Sequence, residues 1–136
     1  MQSAELSIVV PTYKERGNVA ELVRRLDAAL TGISWEAIFV DDNSPDGTSE
    51  AVKDIAAGDR RVRCLRRVGR RGLGGACIEG MLSSASPFVA VMDADLQHAE
   101  KVLPQMLARL KTGGADLVAG TRYVEGGSAD SFSGSR

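Results

Sequence analysis

Hydrophobic residues along this chain alternate between the spacing of a strand and the spacing of a helix. Residues 6–10 form a continuous apolar, β-branched run that Pro11 closes, which predicts a buried strand. Between residues 19 and 30, apolar side chains recur every three or four positions, and Asn18 stands where its side chain can cap a helix. The first thirty residues therefore predict a strand followed by a helix.

The same alternation continues to about residue 119, with acidic residues, glycine and proline separating the segments. We predict further strands at 35–40, 61–65, 88–92 and 116–119, and helices beginning at 48, 76 and 99. Because strands and helices alternate so regularly, the chain is expected to form a parallel sheet with helices on both faces and right-handed connections. The predicted fold class is α/β.

Composition limits the possible functions. The 136 residues, 43% hydrophobic and 26% charged, are typical of one folded domain, so we expect residues 1–136 to form a single domain. A net charge of -1 argues against a general nucleic-acid binder, so any site for a polyanion must be local. Cys64, Cys77 and the lone His98 show no zinc-site or disulfide spacing, and both thiols are expected to be reduced.

The two ends of the chain lead to further expectations. The amino terminus lacks a signal sequence, and its apolar run is too short to span a membrane, which favours a soluble, cytoplasmic protein. No closing element follows Tyr123, and residues 126–136 are rich in glycine and serine. We therefore expect a flexible tail at 126–136 and a longer parent protein.

Polar residues follow four of the predicted strands, at the point where each strand ends. In an open parallel sheet, ligands bind outside the carboxyl ends of the strands, where the loops diverge. The residues that should meet at that edge lie at 11–15, 41–42, 93–97 and 120–123.

Asp93 and Asp95 are the candidate metal ligands. Two residues apart at a strand end, their carboxylates can point the same way if the chain is still extended, and oxygen ligands favour Mg²⁺ or Mn²⁺. Asp93 can equally cap the next helix while Asp95 is merely solvated. The spacing alone leaves these two interpretations evenly balanced.

Asp42 can accept hydrogen bonds from a nucleobase. The surrounding segment 41–47 can also be an ordinary acidic turn with an Asx hydrogen bond, which the spacing alone favours.

An arginine-rich segment follows the third predicted strand. A solvated face is the default interpretation of such a run, but this one leads into Gly72–Gly75, whose amides can approach a phosphate. The loop does not match the GxGxxG pattern, so a nicotinamide site is only weakly indicated. The segment contains Arg60, Arg61, Arg63, Arg66, Arg67, Arg70 and Arg71.

Five sequence blocks, taken in order, resemble the dolichol-phosphate mannosyltransferase family, polyprenyl-phosphate glycosyltransferases of glycosyltransferase family 2 with a GT-A fold. Two departures stand out: Lys14 replaces the usual Asn, and Phe132 stands where many members carry Trp. The blocks are PTYKERGN at 11–18, DDNSPDGT at 41–48, GLGGA at 72–76, MDADLQH at 92–98 and GTRYVEGG at 120–127.

The resemblance implies an inverting enzyme that transfers mannose from GDP-mannose to a polyprenyl (dolichol-type) phosphate at a membrane surface. Asp93, Asp95 and Gln97 would hold Mg²⁺ or Mn²⁺ and the diphosphate, and Arg122 and Arg136 would contact phosphate groups. Asp95 and Arg122 are the candidate catalytic residues. The expected nucleotide contacts are Pro11, Tyr13, Glu15, Val40, Asp42 and Ala94.

Three other functions remain open from the sequence. The donor loops can tolerate a UDP-sugar in place of GDP-mannose. A receiver-like signalling domain also gathers aspartates at the ends of parallel strands, but it expects a late-strand lysine where this chain has Gly120–Arg122. A nucleotide-binding module without catalytic activity is the third.

Overall fold

The computed structural model describes residues 4–96 and 99–113 and confirms the α/β prediction over them. The predicted strand at 116–119 and the expected tail at 126–136 lie outside the described residues. Short 3-10 helices at Arg16–Asn18 and Ala99–Val102 precede α1 and α4. The other elements are β1 (Leu6–Thr12), α1 (Val19–Ala29), β2 (Trp35–Asp41), α2 (Thr48–Gly58), β3 (Val62–Arg66), α3 (Leu73–Leu82), β4 (Phe88–Val91) and α4 (Leu103–Lys111).

The four described strands are all parallel and lie in the order β3-β2-β1-β4. Thr12 at the end of β1 pairs with Asp41 at the end of β2, and Val9 pairs with Val91 at the end of β4. The carboxyl ends of neighbouring strands therefore meet at one edge. We call this edge the rim and define it as residues 12–15, 41–46, 66–72 and 92–96.

Strand β1 continues through Pro11, where the sequence predicts its end. In a parallel strand, alternate residues bond to opposite neighbours, and the Val9 carbonyl accepts from the amide of Met92 on the β4 side. Pro11 therefore faces the same side, beyond the end of β4. Its missing N–H removes no bond to β2, so the strand continues to Thr12.

Helices cover both faces of the sheet. On one face, Ala76 of α3 packs against Val9, Ile38 and Val40. Cys64 of β3 lies on the opposite face, since it pairs with Phe39, and its sulfur is 3.4 Å from Ser49 Oγ of α2.

Gly80 lets α3 approach the sheet closely. A Cβ at this position would lie 2.4 Å from Val9 Cγ1 and 3.1 Å from Val40 Cγ2. We expect Gly80→Ala to lower the free energy of unfolding by a net of about 1–2 kcal/mol, because overpacking outweighs the gain in helix propensity. Gly74→Ala, in the same helix with nothing within 4 Å, is the matched control. Chemical denaturation measures both, and equal stability of the two variants would contradict this packing.

Three helix starts differ in detail from the sequence predictions. Helix α4 begins at Leu103 and not at 99, because a 3-10 helix occupies Ala99–Val102. Helix α3 begins at Leu73, three residues early, so Leu73–Gly75 belong to its first turn. Asn18 does occupy the N-cap position of α1, but its side chain donates to Glu15 Oε2 at 3.3 Å and makes no capping bond.

The chain divides into two compact units, the first ending at Leu96 and the second beginning at Gln97. Of the second unit, the structure describes residues 99–113, where α4 starts with a proline in its first turn and ends before Gly113, whose φ is +79°. Within residues 4–96 and 99–113, every helix falls short of the length and hydrophobicity that a bilayer crossing requires.

Candidate functional site

The turn after β2 is built by Asp41. Its side chain is fully buried, accepts from Thr12 Oγ1 at 2.9 Å, and accepts from the amide and hydroxyl of Ser44 at 3.0 and 2.6 Å. The bonds from Ser44 form the local acidic turn that the sequence offered as the alternative for this segment, and its Asx bond is made by Asp46, which accepts from the amide of Thr48 at 3.1 Å. Asp41 thus takes the structural role and leaves its neighbour Asp42 for another.

Asp42 faces the start of α3. Its Oδ2 accepts from the amide of Gly72 at 3.0 Å, and its Oδ1 lies 3.4 Å from Arg67 Nη1. Asp42 is only 9% exposed, and buried carboxylate oxygens normally accept a hydrogen bond. No donor among the described residues is aligned to donate to Oδ1. Oδ1 is enclosed by protein, so the oxygen suited to bind an N–H group of a ligand is Oδ2, which keeps a second lone pair beside its bond from Gly72.

Backbone amides connect the loops after β1 and β2. The amide of Lys14 donates to Ser44 Oγ at 2.8 Å, and the amide of Glu15 donates to Thr48 Oγ1 at 3.0 Å. Asp46 accepts from the hydroxyl and amide of Thr48, and chiefly this hydroxyl bond holds the pKa of Asp46 below its usual value. The two loops therefore form one hydrogen-bonded support for the rim.

Tyr13 is the exposed aromatic side chain of the rim, with 40% of its surface accessible. The Arg71 guanidinium lies 4.6 Å from its ring centre and donates to its hydroxyl at 2.7 Å, while Lys14 Nζ lies 5.4 Å from the ring. Asp42, Asn43, Gly69, Arg70 and Arg71 line an adjacent pocket of about 410 Å³. An aromatic face, two cations and the Asp42 carboxylate are thus available to one planar, negatively charged ligand.

Three rim residues have left-handed backbones although none is glycine. Lys14 and Asn43, with φ values of +58° and +57°, lie two residues beyond the ends of β1 and β2, and Leu96, with a φ of +59°, lies five residues beyond the end of β4. Such conformations are uncommon and tend to cluster at functional sites. At position 14, Asn, which the family resemblance leads us to expect there, adopts this conformation more readily than Lys.

Asp93 and Asp95 follow β4 but not in an extended segment, since the chain bends at Ala94 and Asp95. Asp93 is exposed, Asp95 is half-buried, and Ala94 between them is buried. Burial raises the pKa of the Cys77 thiol, and the negative charge of Asp93 raises it further, which places that carboxylate near α3. The N-cap residue of α4 is Val102, so Asp93 does not cap that helix.

The acidic pair fits a hard divalent cation but does not complete its coordination. No group of three or more potential His, Cys, Asp or Glu ligands occurs among the described residues. Carboxylate oxygens are the ligands that Mg²⁺ and Mn²⁺ prefer, and both ions commonly take further oxygens from a bound phosphate. Gln97, Arg122 and Arg136 lie outside the described residues.

Other predicted contacts have different accessibilities. The Val40 side chain is fully buried in the core, so only its backbone is available at the rim. Ala94 is likewise buried, whereas Pro11 and Glu15 are half-buried. The sequence could not distinguish side-chain from backbone roles at these positions.

Sequence reasoning missed Arg67. The arginine-rich segment suggested a solvated face, yet Arg67 is only 4% exposed and contacts Asp42, Gly72 and Glu79. Charge pattern alone carries no signal for this. The strand order indicates the position of Arg67, because the pairing of Asp41 with Arg66 places the next residues, Asp42 and Arg67, side by side.

Comparison with known proteins identifies the family. Residues 7–136 match the model of glycosyl transferase family 2, and the chain belongs to this family. It is 39% identical over 128 residues to a dolichol-phosphate mannosyltransferase of Pyrococcus furiosus, with 94% of this chain and 36% of that protein covered. A Saccharomyces cerevisiae protein of the same name is 38% identical, with 91% of this chain and 47% of that protein covered. The chain thus spans less than half of these relatives.

Solved structures confirm the GT-A fold. A mannosyltransferase of Pyrobaculum calidifontis, in complex with GDP-Man and Mn²⁺, superposes with a TM-score of 0.60 at 26% identity, covering 79% of this chain and 32% of that one. Glucosyl-3-phosphoglycerate synthase of Mycobacterium tuberculosis gives a TM-score of 0.62 at 22% identity, covering 79% and 39%. Family membership also argues against the receiver-like domain considered from the sequence.

Proposed function

We propose that this chain is the donor-binding part of an inverting glycosyltransferase that moves mannose from GDP-mannose to a polyprenyl phosphate of the dolichol type. The observation that carries the proposal is the Asp42 carboxylate, which lines the pocket at the rim and whose Oδ2 keeps a lone pair that can accept a base N–H. Guanine presents two adjacent N–H donors, whereas the corresponding edge of adenine carries an acceptor. The similarity to dolichol-phosphate mannosyltransferases supports mannosyl transfer to dolichol phosphate, and the similar Pyrobaculum mannosyltransferase was solved with GDP-Man.

Tyr13 and the half-buried Pro11 and Glu15 flank the space where the nucleoside would lie, with Val40 and Ala94 contributing through their backbones. Asp93, Asp95 and Gln97 would hold Mg²⁺ or Mn²⁺ beside the donor diphosphate. A divalent cation at this position neutralises charge on the leaving diphosphate. The Mn²⁺ bound with GDP-Man in the Pyrobaculum mannosyltransferase favours the same arrangement.

The acceptor end of the reaction needs little acid-base chemistry. A phosphate monoester already carries negative charge near neutral pH, so its oxygen can attack the anomeric carbon without a strong general base. The bond to the leaving diphosphate breaks on the opposite side, which inverts the anomeric configuration. Arg122 and Arg136 would bind phosphate oxygens and orient the acceptor. The lipid would place the whole protein at the cytoplasmic surface of a membrane.

A transfer assay tests this function. The full-length protein is incubated with GDP-mannose or UDP-glucose, a polyprenyl phosphate and Mn²⁺, and the lipid product is analysed for its sugar and anomeric configuration. We expect β-mannosyl phosphate lipid from GDP-mannose. Preferential transfer from UDP-glucose would show that the donor is a UDP-sugar and not GDP-mannose. Binding without transfer from any donor would favour a nucleotide-binding module.

Arg122→Lys should impair use of the acceptor more than binding of the donor. Lysine keeps the charge but loses the planar, two-point contact with phosphate oxygens, so we expect KM for polyprenyl phosphate to rise about tenfold. The KM for GDP-mannose should change little in the same full-length variant. If the KM values for GDP-mannose and for polyprenyl phosphate rise equally, Arg122 contacts the donor and not only the acceptor.

A further inference from the structure

Arg67 is buried within an otherwise exposed arginine-rich segment. It follows β3 directly, its amide donates to the carbonyl of Asp41 at 2.7 Å, and its side chain is 4% exposed. Withdrawing a guanidinium from water is costly unless its charge and its donors are matched. Asp42 and Glu79 supply the matching negative charge.

The contacts of Arg67 converge on the start of α3. Nη1 donates to the Gly72 carbonyl at 3.1 Å and lies 3.4 Å from Asp42 Oδ1, while Nε lies 3.1 Å from Glu79 Oε2. The amide of Gly72 in turn donates to Asp42 Oδ2. Arg67 and Asp42 thus hold the same residue from its two sides, and the orientation of the Asp42 carboxylate depends on both.

We infer that Arg67 is a positioning residue that sets the base preference of the site by fixing the direction of the Asp42 carboxylate. This inference rests on the proposed binding of a guanine nucleotide. Arg67 holds Oδ1 inside the protein at 3.4 Å, so Oδ2, which already accepts from the amide of Gly72, is the oxygen that can accept from the ligand through its second lone pair. A carboxylate free to rotate would discriminate less between guanine and adenine.

Gly75 offers a way to move Arg67 without removing any charge. A Cβ at Gly75 would lie 2.9 Å from Arg67 Nη2 and 3.3 Å from Nη1. Because the guanidinium is the far end of a long side chain, Gly75→Ala should displace it and leave the backbone in place. Gly74→Ala in the same turn meets nothing within 4 Å and is the matched control.

The test measures Kd for GDP and for ADP, both with Mn²⁺, in the 136-residue chain and its variants. We expect Gly75→Ala to weaken GDP binding about tenfold, as for the loss of one charge-assisted hydrogen bond, and to leave ADP binding nearly unchanged. Gly74→Ala should change neither. In Arg67→Met the preference should already be lost, and adding Gly75→Ala should have no further effect. If Arg67→Met does not fold, the glycine pair alone decides.

The possible outcomes distinguish a failure of the proposed guanine site from a failure of the role assigned to Arg67. A wild-type chain that binds GDP no better than ADP overturns the proposed guanine site and this inference with it. A clear wild-type preference that survives Gly75→Ala overturns the inference alone. Parallel weakening of both nucleotides shows that Arg67 only maintains the structure, which also contradicts the assigned role.

Discussion

Asp95→Asn is expected to abolish most of the metal-dependent binding of the nucleotide. The substitution preserves size but removes one of the two carboxylates that follow β4. In the full-length enzyme, loss of one principal electrostatic stabiliser of the leaving group should raise the barrier by about 3 kcal/mol. Titration of GDP-mannose with and without Mn²⁺, followed by kcat in the full-length variant, measures both effects.

Asp54→Asn is the control for Asp95→Asn. Asp54 is exposed on α2, away from the rim, and its substitution removes the same negative charge. It should behave as the unmodified protein. Unchanged Mn²⁺ dependence in Asp95→Asn would show that the metal is held elsewhere.

Asp42→Ala should remove the preference for guanine. Hydrogen bonds to a charged group contribute about 1.5–3 kcal/mol, so GDP affinity should fall by at least tenfold. Affinity for ADP, which lacks the matching donors, should fall much less. Competition binding among GDP, UDP and ADP measures the preference directly.

Asp54→Ala serves as the control for Asp42→Ala, again because it removes a distant exposed charge. If Asp42→Ala retains the original order of affinities among the three nucleotides, the base is recognised by other residues.

The fold was largely predictable because its signals are local. Apolar runs and helical spacing identified all four described strands and all four described α-helices to within three residues at their starts, apart from α4, whose predicted first turn is a 3-10 helix. The extension of β1 through Pro11 was missed, because it depends on where the neighbouring strand β4 ends. Strand order is a non-local property that a single sequence does not display.

The candidate site was less predictable, because it depends on strand order and side-chain direction, which a single sequence does not display. The sequence does not distinguish Asp41 from Asp42, and only the opposite directions of their side chains make Asp41 a turn residue and place Asp42 beside the start of α3 and the pocket. Arg67 resembles its exposed neighbours until β2 and β3 are paired. The resemblance to a family supplied the chemistry, while the structure distinguished side-chain from backbone roles.

The most direct test of the account is the calorimetric Kd of GDP-mannose for the 136-residue chain, measured in Mn²⁺ and again in EDTA. We expect saturable binding in Mn²⁺ that weakens strongly in EDTA, with UDP-glucose and ADP-mannose binding more weakly than GDP-mannose in Mn²⁺. Binding that is indifferent to the metal or to the base would contradict a donor site built from Asp42, Asp93 and Asp95.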